Sequence, residues 1–361
     1  METLSRLMVR AYCESKRETL LEDLENLKRD LRYVGGLNLA QLTDFLELAD
    51  TNKVVVRALT VLQNAAVALG ESRIADWCEN CVANERARIE HGIGMLQSIC
   101  NALESCGCKI AVIKSLDHWP DLGSDLDLYT TADECRIEQG MREEFGARPV
   151  DRSWGDRLAN KWNYSVPGLP ELVEIHVQFL GQTGEHAEMA RRVVDRRVRK
   201  VVGGHKFHVP APEERLVISA LQRVYRHLYF RLCDMIDMTL LMQDEPLDFA
   251  ELRKAADVAG IWPGVATFLF LIQSYIKSYG GDVPLPGEVI AAAHSRGDGV
   301  RFGNGFLRVS KLTAARLYGS QLMQAGRHLD FRALLRLPLL PPLAISAMVA
   351  HGFTGNDKGI W

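Results

Sequence analysis

Residues 109–130 read K-I-A-V-I-K-S-L-D-H-W-P-D-L-G-S-D-L-D-L-Y-T and carry the side chains best able to do chemistry. Asp125 and Asp127 stand one residue apart, just ahead of the apolar Leu128 and Tyr129. Strand side chains alternate between faces, so both carboxylates point the same way. Two carboxylates that converge repel unless a cation lies between them. A divalent ion, most naturally magnesium, is the simplest such cation, because it takes oxygen ligands and substrate phosphates. A D-x-D alone also occurs on solvated strands and in turns. Upstream, the apolar residues 110–113 end at Lys114-Ser115, and nine residues, Gly123 and Ser124 among them, separate Ser115 from Asp125. A turn, a hydroxyl and a cation at a strand end can hold phosphate.

Residues 172–179, L-V-E-I-H-V-Q-F, supply a third carboxylate. Alternation puts Val173, Ile175, Val177 and Phe179 on a core face and Leu172, Glu174, His176 and Gln178 on the other. Three carboxylates on adjacent strands, opposite a phosphate-holding turn, make a two-metal arrangement for attack on a phosphoryl group. His176 can orient Glu174, as a partner behind a metal ligand does, or serve as a satisfied structural histidine. Farther on, Arg223, His227, Arg231 and Asp234 recur at three- and four-residue spacing, which predicts one helix face. That face either lines the cleft and touches nucleotide or acceptor, or forms a salt-bridged solvent surface that also takes in Asp237.

The elements that must position these residues follow from periodicity. Leucine spacing predicts helices through residues 1–85, broken at Gly35-Gly36, with further helices over 39–48 and 53–69. Ile89, Ile93, Leu96, Ile99 and Leu103 predict a helix ended by Gly107. Strands are predicted over 109–113 and 125–129, then a helix capped by Thr130 or Thr131 and stopped by Gly146. A strand pair over 160–166 and 172–179 turns at Pro167-Gly168. The basic run 191–200 predicts a helix ended by Gly203-Gly204, and 205–209 a short strand. Pro212 opens a long helix through Leu228, and 280–286 and 300–306 read as loops. The fold class is therefore α+β, a small mixed-sheet core flanked by helical regions. The expected division is 1–86 helical, 87–210 α/β core and 211–361 helical.

Composition bounds the rest. The chain has 361 residues, 47% hydrophobic and 25% charged, with a formal net charge of -3. That charge exerts no global pull on nucleic acid or an anionic membrane. The opening M-E-T-L-S-R-L-M-V-R lacks a signal-peptide core. Residues 337–350 hold about a dozen apolar positions and three prolines, short of the roughly 20 that a spanning helix needs; docking onto the body or peripheral contact remain. The eight cysteines are scattered, and reduced thiols in a cytoplasmic protein are expected. Cys78 and Cys81 form a C-x-x-C without a well-spaced second pair. The run 191–200 lacks aromatic interleaving, so a solvated face competes with binding of a nucleic-acid acceptor. There is no G-x-x-x-x-G-K-[ST] and no complete G-x-G-x-x-G.

The ordered motifs resemble the DNA polymerase β-type nucleotidyltransferase superfamily. Its signature is a strand, a G-[GS] turn opening a short helix, D-x-[DE] on the next strand and a third carboxylate on a later one. The nearest likeness is to a poorly characterised bacterial branch with a K-G turn, a D-x-D strand, a later [DE]-x-H strand and a following P-E-x-x-L helix. Lys114, Asp125 and Asp127, the E-I-H of Glu174 to His176, and P-E-E-R-L at 212–216 stand in that order, and the likeness covers about 88–245. The turn departs from the pattern: neither Lys114 nor Ser115 is glycine. The resemblance implies that Asp125, Asp127 and Glu174 hold two magnesium ions. It implies that Lys114 and Ser115, with Ser124 nearby, contact the triphosphate. His176, Arg223, His227 and Arg231 would complete the nucleotide or acceptor site. The implied reaction moves a nucleoside monophosphate from a nucleoside triphosphate, ATP among them, to an acceptor hydroxyl and releases pyrophosphate. A small-molecule acceptor is favoured, with tRNA or protein as alternatives, and the N-terminal helices offer a route to an oligomer. Rival readings are a degenerate core that binds nucleotide or a partner without chemistry, a toxin-like enzyme that modifies tRNA or protein, and a scaffold.

Overall fold

The computed structural model describes residues 1–13, 20–245, 247–293 and 299–343, together with 345, 346 and 349. Four helices open the chain, Glu2–Tyr12, Leu20–Gly35, Leu39–Thr51 and Val55–Leu69. The third starts where Asn38 and Gln41 form a reciprocal capping box. The fourth ends at Gly70, whose φ of 74° suits a residue without Cβ. The helix Ser72–Ser105 follows. Its buried face holds Ile89, Ile93, Leu96, Ile99 and Leu103, as their spacing predicts. This one helix runs through residue 86. Buried apolar side chains from Leu4 to Leu317 form a single cluster, with a small second one around Ala325, Ala333 and Leu337.

The fold is α+β. Strands β1 (Ile110–Val112), β2 (Asp125–Thr130), β3 (Arg148–Pro149), β4 (Lys161–Ser165) and β5 (Leu172–Val177) form a mixed sheet in the order β1-β2-β5-β4-β3. β2 and β5 are parallel, with Asp127 opposite Glu174, and the other pairings are antiparallel. A parallel pair needs a long crossover. Here it contains the helix Glu134–Phe145, stopped by Gly146 as expected. Its cap is Asp133, which accepts from the Cys135 N–H, and not Thr130 or Thr131.

Three other expectations change. The basic run 191–200 is not one helix: Glu188–Asp195 is helical, and β6 (Val198–Val202) pairs with β7 (His205–Val209) across Gly203-Gly204. Its β-branched valines favour the strand. Arg192 and Arg196 are spent on Glu213, Glu214 and Glu251. The helix that opens at Pro212 is α-helical only to Ala220. Residues Leu221–His227 form a π-helical turn, ended by Leu228 at φ 57°, and a new helix, Leu232–Asp244, begins after Arg231. So Arg231 and Asp234 do not share a helix with Arg223. Gly264 leaves room for this turn, since a Cβ there would collide with the Tyr225 phenol. Finally, 300–306 is not a loop but most of a hairpin, Arg301–Gly303 with Phe306–Arg308. Asn304-Gly305, both at positive φ, make the turn. The loop expected over 280–286 is irregular, as read.

Among the described residues no helix is long and apolar enough to cross a membrane. The apolar stretch 337–350 lies partly outside the described residues; Leu337 is buried against Ala325 and Ala333. All eight cysteines are unpaired, and Cys78 and Cys81 join no group of metal-ligating side chains among the described residues. Burial pushes the thiols of Cys13 and Cys78 up to about 12. Only Cys106 and Cys135 are exposed. Ellman's reagent should therefore titrate two thiols promptly on the folded protein and the remainder on denaturation. Four or more prompt thiols would contradict this packing.

Candidate active site

The turn after β1 sets the site. The Ser115 N–H donates to the Ile113 carbonyl at 2.6 Å, closing a three-residue turn around Lys114 at φ 62°, ψ -56°. This γ-turn geometry is rare and strained, and a non-glycine residue held in such a region costs about 1–3 kcal/mol. Lys114 thus adopts the backbone that a glycine would take, with an ammonium group added. The Ser115 hydroxyl donates to the Asp125 carbonyl at 3.2 Å and accepts from the Asp127 N–H at 2.8 Å. It pins the turn to the start of β2.

The carboxylates meet because β2 and β5 are parallel and in register. Asp127 is buried, and Asp125, at the strand's first position, is partly exposed. The His176 Nε2 lies 2.8 Å from Glu174 Oε1, and the Lys161 ammonium donates to Glu174 Oε2 at 3.0 Å. Lys161 is itself held by Asp156 at 2.6 Å. Lys114 Nζ lies against Asp127 Oδ1 and 3.6 Å from Glu174 Oε1. Burial alone would raise the Glu174 carboxyl, but Lys114, Lys161 and the His176 hydrogen bond outweigh it and hold Glu174 well below the usual range. Asp125 is pushed up, by burial first and then by Asp127 and Glu174. Donor atoms of Asp127, Glu174 and His176 lie within 4.8 Å of one another, with Asp125 beside this group and not in it. Asp127 Oδ1 is buried and accepts no well-aligned hydrogen bond. This carboxylate-rich donor set, with Asp125 beside it, fits a hard divalent cation.

A basic wall faces the acids. Lys114, Ser115, Ser124, Asp125, Asp127, Glu174, Arg223, His227 and Arg231 all line one cavity of about 150 Å³. His176 lies at its back and lines a neighbouring, less polar cavity of about 40 Å³ with Ile113, Leu180 and Ile218. Arg223 pairs with Asp234 at 2.7 Å. Arg223 Nη1, Arg226 Nε and Arg231 Nε are buried without hydrogen-bond partners. His227 is held well below its ordinary value, by burial first and then by Arg226, Arg223, Arg231 and Lys114, so it faces the cavity neutral.

His118 also lines the cavity and connects it to the N-terminal helices. Its Nδ1 lies 2.6 Å from Asp237 Oδ2, and Asp237 Oδ1 takes Arg57 Nη1 at 2.5 Å. Arg57 Nε donates to Asp121 Oδ2 at 2.8 Å, and Asp121 Oδ1 accepts the Val56 N–H at 2.7 Å in the first turn of Val55–Leu69. Arg57, Asp121 and Asp237 are all buried.

Residues 38–277, more than half of the chain, match the family described as uncharacterised nucleotidyltransferase. The chain belongs to this family. No curated protein matches it. Among solved structures, an antigenic nucleotidyltransferase-like protein from Paracoccidioides brasiliensis is similar at 17% identity. That match covers 53% of this chain and 93% of the other, with a TM-score of 0.32. The family match spans the strained turn, the three carboxylates and the arginine wall together.

In this member of the family, sequence reasoning missed Arg226, Gln222 and His118 on the cavity wall, and the Lys161–Asp156 pair behind Glu174. Arg226 stands three residues after Arg223, a spacing that already puts it on the same helix face, so it could have been read with Arg223 and His227. The density of cations in 223–231 was the available signal. Lys161 sits on β4 opposite His176 on β5, a pairing visible only once the strands are in register.

Proposed function

We propose that this chain is a magnesium-dependent nucleotidyltransferase that moves a nucleoside monophosphate from a nucleoside triphosphate to an acceptor hydroxyl. The observation that carries this reading is the single cavity with three carboxylates and Lys114 on one wall and Arg223, Arg226 and Arg231 on the other. Anionic phosphates and a divalent cation satisfy both walls at once; neither alone does. Asp125 and Asp127 would hold the ion, which supplies Lewis-acid stabilisation of the charge that develops on the phosphoryl oxygens. The arginines neutralise the triphosphate and orient it, with donors already buried and unpaired. The acceptor oxygen attacks the α-phosphorus and the bond to the β-phosphate oxygen breaks. Pyrophosphate leaves, and the hydroxyl proton passes to Glu174, which His176 orients. The strained Lys114 turn and the Ser115 hydroxyl fix the acids against the phosphate wall, so little reorganisation is needed during reaction. Eight unpaired thiols support a reducing, cytoplasmic setting.

Calorimetric titration with each of the four nucleoside triphosphates, with and without magnesium, tests this. One triphosphate should bind with a magnesium-dependent affinity. Arg226→Ala should weaken it by about 10- to 100-fold, the loss expected for one charge-assisted hydrogen bond. Absence of binding to all four would move the reading to a nucleotide-free partner-binding module.

A further inference from the structure

We propose that Lys114 is a built-in cation standing where a second metal ion would otherwise sit, so that the site takes one divalent ion, held by Asp125 and Asp127. This rests on the nucleotidyltransferase reading and changes its metal count from two to one.

Glu174 has one partner on each oxygen, Oε1 with His176 at 2.8 Å and Oε2 with Lys161 at 3.0 Å, which leaves a lone pair on each that an ion could still use. Lys161 is not free to leave, because Asp156 holds it at 2.6 Å, and Asp156 is fixed in turn by a capping box with Ser153. The gap between Asp127 and Glu174 is where an ion shared by those two residues would have to lie. Lys114 Nζ occupies it, in contact with Asp127 and 3.6 Å from Glu174. Asp125, by contrast, has no ion-pair partner among the described residues, and its one described side-chain contact is the Ser124 hydroxyl at 3.4 Å.

Local charge agrees. On the acid wall alone, Asp125, Asp127, Glu174 and Asp156 face the ammonium groups of Lys114 and Lys161, which leaves two negative charges there, as many as one divalent ion neutralises, with the arginines across the cavity left for phosphate. The backbone agrees as well. A lysine at φ 62° gives up the ease that glycine would have there. A strained residue persists where its side chain is needed, and the turn directs this ammonium between the two acids. A fixed ammonium keeps Glu174 ionised beside the acceptor at any metal concentration, and it cannot dissociate as a weakly held ion does.

Manganese, a paramagnetic stand-in for magnesium, gives a count that does not depend on turnover. Titration of the folded full-length chain with manganese alone, followed by the electron paramagnetic resonance of the free ion, should give one bound ion per wild-type chain. Lys114→Met removes the ammonium and should raise the count to two. Lys114→Gln serves as the second variant should the methionine form fail to fold, with circular dichroism as the check. Two ions on the wild type would overturn the inference, because Lys114 would then be a placeholder that moves aside. A count of one in both proteins would also overturn it. No ion on either would remove the metal site altogether, and the nucleotidyltransferase reading with it, an outcome distinct from the other two.

Discussion

Asp127→Asn is expected to cut pyrophosphate release by about 10³-fold or more, because the ion that Asp127 is proposed to hold would contribute several kcal/mol of transition-state stabilisation and each 1.36 kcal/mol is about tenfold. The amide keeps the shape of the carboxylate, and the Asp127 N–H still donates to Ser115 Oγ, so β2 and its register with β5 should survive. What changes is charge. Asparagine cannot neutralise Lys114 and is a poor ligand for a hard cation. Two measurements check this. Pyrophosphate release should collapse, and the magnesium-dependent part of the triphosphate affinity should vanish while the metal-independent part, carried by Arg223, Arg226 and Arg231, remains. Release within tenfold of wild type would show that Asp127 is not an ion ligand.

Arg57→Met should be the most destabilising single change described here, at about 3–5 kcal/mol, the range for breaking a buried ion pair from one side. The guanidinium is 1% exposed and spends its donors in three directions, on Asp121, Asp237 and the Lys53 carbonyl. Its loss strands two buried carboxylates. Arg57→Lys should recover little, since one ammonium cannot replace a planar fork across both acids. The shift in urea midpoint at unchanged slope measures the effect. A loss below about 1 kcal/mol would show that the network is neutral on balance, as some buried ion pairs are. The consequence reaches the cavity as well, because Asp237 also fixes His118.

The parts of the site legible in the sequence were those set by local alternation. Asp125 and Asp127 before an apolar strand end, and Glu174 with His176 opposite Val173 and Ile175, needed only the two-residue period of a strand. That these two strands lie side by side and parallel is a tertiary fact that alternation alone does not give. Other features needed the partner chain segment. Lys161 looks like an ordinary strand residue until β4 pairs with β5. Arg57 looks like a surface cation on a helix until Asp121 and Asp237 close around it. The basic run at 191–200 misled because it spans the end of a helix and the start of a strand, whose other valines, Val201 and Val202, lie beyond it, and the π turn at 221–227 was illegible because nothing in L-Q-R-V-Y-R-H departs from α-helical composition. The strained turn was half legible: the missing glycine could be seen at Lys114-Ser115, but not that Lys114 adopts the glycine conformation.

The π-helical turn also bears on how relatives should be aligned to this chain. A turn that holds one residue more than an α-helix rotates everything after it by about 100°. Relatives whose helix after the P-E-x-x-L motif is regular will match this chain only with a one-residue gap inside 221–227. Aligned without it, their arginines will fall opposite Tyr225 or His227, and the phosphate-facing wall will look poorly kept even where it is intact. Such a gap is usually penalised as noise inside a helix. Here it is the position at which the register of the cavity wall is set.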